Sequence, residues 1–212
     1  MVQQLFDNLY MIDGFVREFF IISDQYVLLI DTGFGKENIL DIIRQYSSLP
    51  VKVILTHGHM DHTGGAHVFD EVYLSEKDWH MYDGKKKPMV DHIDCGDYHF
   101  EIIPIPGHTH GSIALYDANK KLLIGGDSIQ EGPIYMFGKD ADLKEYEDSL
   151  NRLNQLEIDT ILASHHTCVI KKEFIQFCLD DLHRYQNGEL EAIPHHQPDC
   201  LLYQGKNVSF FL

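Results

Sequence analysis

Four metal-capable side chains crowd into six consecutive positions of one stretch of this chain, Thr56-His57-Gly58-His59-Met60-Asp61-His62-Thr63-Gly64-Gly65. The stretch follows the apolar run 51–55, which reads as a buried strand, and its glycines read as a loop opening a helix. A neutral imidazole and an ionised carboxylate are the ligand forms of His and Asp, and both are available near pH 7. His57 and His59 are two apart, so their rings can converge from one side of a tight turn. Asp61 and His62 come after the backbone has turned and face a second point. A chain with this loop has to fold so that other donors meet it, and the spacing suits two metals side by side.

The remaining donors are expected at strand ends too. Catalytic zinc commonly takes three protein ligands plus water, and paired sites often share a carboxylate. Three stretches qualify: Pro106-Gly107-His108-Thr109-His110-Gly111-Ser112, Gly125-Gly126-Asp127-Ser128 and Ser164-His165-His166. Read from the residues, His108 and His110 are rivals, as are His165 and His166. The glycines before Asp127 allow close backbone approach.

The rest of the chain supplies strands and helices around these loops. Runs at 5–13 and 15–23 are split by Asp13-Gly14, a hairpin signal, and 26–30 reads as a strand buried on both faces. Apolar residues Ile39, Leu40, Ile42, Ile43 and Tyr46 predict a helix over 36–48. After the histidine loop come a short strand at 71–74, a short helix over 76–82 carrying Trp79, and a polar loop over 83–91. Strands follow at 98–105, 112–116 and 121–124. A helix over 141–156 presents Leu143, Tyr146, Leu150 and Leu153, and a strand occupies 158–163. An amphipathic helix over 171–187 stops at Asn187-Gly188, and a hairpin closes the chain with strands at 201–203 and 208–211. Two broadly similar halves result, without a sequence repeat. The expected fold class is α+β, with two mixed sheets face to face and helices outside, in one domain over 1–212.

Charge narrows the function. Acidic residues outnumber basic ones 33 to 17, a net charge of −16. That balance argues against a nucleic-acid partner, which needs clustered Lys and Arg; the one basic run, Lys85-Lys86-Lys87, reads as a solvated loop. The four cysteines are scattered with no C-x-x-C pair, so neither a disulfide framework nor a cysteine zinc knuckle is expected. The first residues lack a secretory signal, and no apolar run approaches membrane-spanning length. A soluble cytoplasmic protein acting on a small molecule, without membrane contact, is the expectation, with Phe210, Phe211 and Leu212 offering a surface for a homo-oligomer.

The loop at 57–62 resembles the H-x-H-x-D-H signature of the metallo-β-lactamase superfamily, and the later motifs match along most of the chain. The resemblance implies a four-layer αββα sandwich. Residues 106–112 are similar to the family's P-G-H-T-x-G-S motif, which assigns His108 to one metal with His57 and His59, with His110 behind the ligands or lining the pocket. Asp127 is then the carboxylate shared by both metals, and the short S-H-x turn assigns His165 to the second metal beside Asp61 and His62. Asp31, in Leu29-Ile30-Asp31-Thr32-Gly33, is implied to hold the metal loop through hydrogen bonds rather than to bind metal. Asp at 127 departs from the true β-lactamases, which carry Cys there, and is shared with glyoxalase II-like thioester hydrolases and lactonases.

Such a set would hold two divalent ions, zinc by default and iron or manganese by donor type. A hydroxide between them would attack a small ester, thioester or lactone, with Asp61 orienting it and passing a proton to the leaving group. Pocket walls are expected from 79–82, the Lys85 loop and 132–137, where Tyr135 and Phe137 could contact substrate. Two alternatives share the fold: a persulfide dioxygenase-like oxidoreductase with one iron, and a phosphodiesterase or nuclease of the superfamily.

Overall fold

The computed structural model describes residues 1–136, 138–194 and 200–212. Alternation of apolar side chains builds the first sheet. Strands β1 (Val2–Phe6), β2 (Leu9–Ile12), β3 (Glu18–Ile22), β4 (Val27–Ile30), β5 (Val51–Ile54), β6 (Val72–Tyr73) and β7 (Lys86–Lys87) lie side by side in chain order. The second sheet runs β14-β13-β11-β10-β9-β8, from β8 (His92–Cys95), β9 (Tyr98–Pro104), β10 (Ile113–Asp117), β11 (Leu122–Ile124), β13 (Thr160–Leu162) and β14 (Val169–Ile170).

Period-two alternation sends each sheet's side chains to opposite faces. Phe19, Ile21, Leu28 and Ile30 of the first sheet meet Phe100, Ile102, Leu115 and Ile124 of the second in one buried layer. The intervening Phe20, Val27 and Leu29 face outward onto Ile39 and Ile43 of helix α1 (Ile39–Ile43). On the far side, Ala114, Tyr116 and Leu123 pack against Tyr146, Leu150, Cys178 and Leu182 of helices α3 (Leu143–Leu153) and α4 (Glu173–Gln186). The order helix, sheet, sheet, helix is the expected αββα sandwich. Each fully buried Leu, Ile or Phe contributes roughly 1.5–3 kcal/mol of transfer free energy.

A small third sheet, β12-β17-β16-β15, joins β12 (Pro133–Tyr135), β15 (Ala192–Pro194), β16 (Leu201–Gln204) and β17 (Ser209–Phe211). Phe210 and Phe211 of the closing hairpin are buried within the chain itself, and Leu212 is half-buried.

Local chemistry explains where the elements differ from the sequence reading. The run 5–13 breaks into β1 and β2 because Asn8 adopts a left-handed turn (φ 59°), a conformation Asn tolerates. The helix expected over 36–48 keeps only Ile39–Ile43. Asn38 caps its start by accepting from Leu40 N (3.1 Å), and Arg44 Nη1 turns back onto the carbonyls of Ser47 and Leu49 (3.1 and 2.7 Å). The short helix expected over 76–82 is present as a 3-10 helix, Glu76–Met81. Within the expected polar loop 83–91, Lys86 and Lys87 pair in parallel with Val72 and Tyr73; charged lysines suit a sheet edge. Trp79 turns away from the expected pocket wall, its indole N–H donating to Leu74 O (3.0 Å) against the outer core. Phe137 lies outside the described residues.

Candidate metal centre

Strand direction brings the ligand loops together. β4 and β5 are parallel, as are β11 and β13, while β9 and β11 both run antiparallel to the β10 between them. The C-terminal ends of β4 and β5, and of β9, β11 and β13, therefore carry the residues of interest, and these loops meet at one edge of the sandwich. Helix α2 (Met60–Thr63) starts immediately after His59 and turns Asp61 and His62 away from the first two histidines.

Two groups of donors result. In the first, His57 Nε2, His59 Nδ1 and His108 Nε2 form a triangle with sides of 3.1, 3.0 and 3.2 Å. In the second, Asp127 Oδ1 lies 3.1 Å from His62 Nε2, Asp127 Oδ2 lies 3.2 Å from His165 Nε2, and Asp61 Oδ2 lies 3.5 Å from His165 Nε2. Asp127 Oδ2 also reaches within 3.6 Å of His108 Nε2, so this carboxylate stands between the two groups. Each group's donor atoms all lie within 4.8 Å of one another.

The hydrogen bonds behind the rings show which nitrogens are bare. Asp31 accepts from Thr56 N (2.7 Å) and, through its other oxygen, from the Thr56 hydroxyl (2.8 Å). With its proton committed, Thr56 Oγ1 accepts from His57 Nδ1–H at 3.1 Å, and His57 Nε2 keeps its lone pair. His108 Nδ1–H donates to Tyr135 O at 2.6 Å, His165 Nδ1–H to Phe15 O at 3.0 Å and His62 Nδ1–H to Asp31 at 2.8 Å. Four rings are thus oriented with Nε2 toward the centre, the arrangement that metal-binding imidazoles take. Asp31 also sits in the left-handed region (φ 62°), a costly conformation held by these bonds.

Electrostatics separate the groups. Burial pushes His57 and His108 below the ordinary imidazole range and takes His59 down to about 4, where the neighbouring His108 adds to the effect. These three are neutral donors at physiological pH. In the second group burial also works downward on His62 and His165, but the facing carboxylates outweigh it. Asp127 and Asp31 lift His62, and Asp127 and Asp61 lift His165 to about 9. Burial would raise Asp127 and Asp61, yet the same histidines hold both carboxyls below their usual range. The group draws in positive charge.

Two buried atoms test the fit of a cation directly. His62 Nε2 and Asp127 Oδ1 are 3.1 Å apart but lack hydrogen-bond geometry, and neither has a hydrogen-bond partner, Asp61 Oδ2 lying 3.8 Å from His62 Nε2. A buried polar atom left unpaired costs about 1–3 kcal/mol, and a cation between these atoms would satisfy both. The donor set is imidazole and carboxylate without thiolate, which suits zinc, iron or manganese.

Other sequence candidates fall outside the two groups. His110 pairs with Glu145 on α3 (2.8 Å) at the protein surface. His166, its backbone also left-handed (φ 55°), projects outward over Gly132. Tyr135 reaches the site through its carbonyl oxygen, while its ring stacks on Phe211. Thr56 and the buried Asp78, neither singled out in the sequence, hold the ligand loops from behind; a hydroxyl next to His57 was a visible signal, a lone Asp in the 76–82 turn was not.

Comparison with known proteins agrees with this geometry. The family model described as the metallo-beta-lactamase superfamily matches residues 13–74 and 72–165. An acyl-coenzyme A thioesterase, MBLAC2, of Gallus gallus is 25% identical, with 90% of this chain and 84% of that protein aligned. A hydroxyacylglutathione hydrolase of Photorhabdus laumondii is also 25% identical, over 90% of this chain and 79% of its own. The fold is that of the metallo-beta-lactamase from Pontibacter korlensis, with a TM-score of 0.75 at 22% identity over 86% of this chain and 98% of the other. The chain belongs to the metallo-beta-lactamase superfamily, as one of its hydrolases.

Proposed function

We propose that the two donor groups hold two divalent metal ions, zinc in the first instance, and that the protein hydrolyses a small acyl thioester, with esters and lactones as the neighbouring substrate classes. The observation that carries this reading is the division of seven donors into a neutral trio and an acidic quartet that share one edge through Asp127. Bound there, the ions would supply a water activated near neutral pH and a Lewis acid for the scissile carbonyl.

The chain's own residues do the rest. His57, His59 and His108 stay neutral, so no proton has to leave before a ligand bond forms, and the lone pairs of His57 and His108 are fixed from behind. Asp127 is buried and spans both groups, which fits it to fix their separation. Asp61 is the more open of the two carboxylates, with 22% of its side chain exposed, and is placed to hold the attacking water and to hand a proton to the leaving group. Asp31 and Thr56 keep the rings of His57 and His62 aimed. Thioesters rank first because an acyl-coenzyme A thioesterase and a hydroxyacylglutathione hydrolase align over most of this chain. The net charge of −16 supports a small-molecule substrate rather than nucleic acid. All four cysteines are free, which suits a reducing cytoplasm; among the described residues no helix is long and apolar enough to cross a membrane.

Elemental analysis of protein purified without chelator or added metal is the test, followed by a thioester, ester and lactone panel. About two zinc or manganese ions per chain with thioester turnover is the expected result. A single iron per chain would transfer the assignment to dioxygen chemistry, and no metal with no uptake would overturn the ligand set.

A further inference from the structure

The 3-10 helix Glu76–Met81 contributes no metal-facing donor, yet it buries a carboxylate directly behind the three-histidine group. Asp78 is fully buried. Its Oδ2 accepts from Gly58 N at 2.9 Å and from the Thr109 hydroxyl at 2.7 Å, and its Oδ1 accepts from Gly111 N at 2.8 Å. Gly58 lies between His57 and His59, while Thr109 and Gly111 follow His108. One carboxylate therefore ties together two loops that are about fifty residues apart in the sequence and whose histidines must point at one position. The same bonds do not touch Asp61, His62, Asp127 or His165.

The glycines in the two loops fit this role. A Cβ on Gly111 would come within 2.4 Å of Asp78 Cγ and 2.5 Å of its Oδ1, and one on Gly58 would meet Met81 Cβ at 2.7 Å and Asp78 Cβ at 3.1 Å. Both positions must stay bare for the backbone N–H groups to reach the carboxylate. The Thr109 hydroxyl is held in place in turn by Ser112 Oγ at 2.8 Å. Charged acceptors make the stronger hydrogen bonds, and a buried one that loses its donors is costly, so the two loops are locked in register only while all three bonds stand.

We infer that Asp78 is the positioning residue of the three-histidine group: its buried carboxylate sets the mutual placement of His57, His59 and His108. This rests on the proposal that the trio holds an ion. Replacing the carboxylate by an amide keeps its size but turns an NH2 toward N–H donors, so Asp78→Asn should loosen the trio and leave the acidic group intact.

The test is cobalt(II) titration, followed by visible absorption, in two backgrounds. His165→Ala weakens the acidic group and reports on the trio, and His57→Ala does the reverse. With the trio as reporter, Asp78→Asn is expected to weaken cobalt binding about tenfold to a hundredfold, the usual cost of losing a group that orients a ligand. With the acidic group as reporter, binding should stay within roughly twofold, whereas a merely structural Asp78 would weaken both alike. Equal weakening in the two backgrounds, or none with the trio as reporter, overturns the inference. If His57→Ala in the otherwise native chain leaves cobalt uptake unchanged, the trio is not a metal site, and the parent reading fails together with this one. Should Asp78→Asn not fold, Thr109→Val decides, since it deletes one donor and keeps the carboxylate: a loss of roughly tenfold or less confined to the trio supports the assignment, and a uniform or absent loss overturns it.

Discussion

The trio and the acidic quartet lie side by side but meet different physical demands. The trio is made of two buried rings and the half-buried His59, all kept neutral by desolvation, with His57 and His108 each aimed by an oxygen acceptor on the far nitrogen. The quartet pairs two carboxylates with two imidazoles, and the mutual attraction lifts His165 to about 9 while holding Asp127 and Asp61 low. A divalent cation in the trio would keep more of its charge, since the one carboxylate that reaches it is Asp127, which the quartet shares. In the quartet two carboxylates would neutralise it. The two positions are therefore unequal: an ion held by the trio would be the stronger electrophile, and the quartet would be where charge is balanced and protons are managed.

Asp127 is where the two halves join, so its replacement should break the comparison most. Asp127→Asn preserves shape but removes the charge that His62, His165 and His108 all face. Metal content is expected to fall from about two ions to about one, with the quartet losing its ion first. Hydrolysis should drop on the order of a thousandfold, the several kcal/mol that a lost Lewis acid removes from transition-state stabilisation. Elemental analysis and turnover measured on the same preparation check this, and full activity with two ions retained would show that the halves are independent.

A third carboxyl sharpens the contrast from behind the quartet. Glu18 is nearly buried in β3, where its carboxyl fills the space beside Gly33, and burial, reinforced by Asp31, raises it from 4.5 to about 7. Its folded value lies above its unfolded one, so its contribution to stability is fully present below pH 4.5 and is lost as pH rises toward 7. Ionised, it costs the fold on the order of 3 kcal/mol. Glu18→Gln in chelator-treated protein should leave stability near pH 4 little changed and raise it at pH 8 by up to that amount. Denaturant unfolding at the two pH values reads the difference between variant and parent, which cancels the titration of the histidines. A constant difference across pH would mean that Glu18 titrates in the fold as it does in the unfolded chain.

The same contrast explains what could be read in advance. The layers were legible because strands recur with helices between them and 26–30 reads as buried on both faces, which a sheet covered by a second sheet and a helix requires. His57, His59, Asp61 and His62 were legible because they sit within one loop, and His108, Asp127 and His165 because each follows a strand in a recognisable motif. Asp78 was not, since its three donors come from residues 58, 109 and 111 and only the fold brings them together. Helix 36–48 was overread for a related reason: the apolar stripe is real, but the Arg44 side chain closes the helix early through bonds that spacing does not reveal.

The smallest expected effect lies at the edge of the trio. His110 is two residues from His108 and equally histidine, so sequence alone left both open as ligands. Its Nδ1 pairs with Glu145 at 2.8 Å, and 41% of its side chain and 37% of its partner's are exposed. An ion pair of that kind contributes about 0–1 kcal/mol, and the ring shares no contact with His57 or His59 in the way His108 does. His110→Ala should therefore keep about two ions per chain and change turnover by less than roughly threefold. Since His110 lies beyond Thr109 and before Gly111, the Asp78 bonds can stand without its ring. Loss of an ion in His110→Ala would mean that the exposed pair with Glu145 is not a resting place but a reservoir from which the ring reaches inward, and the trio would then have to be redrawn with a fourth member.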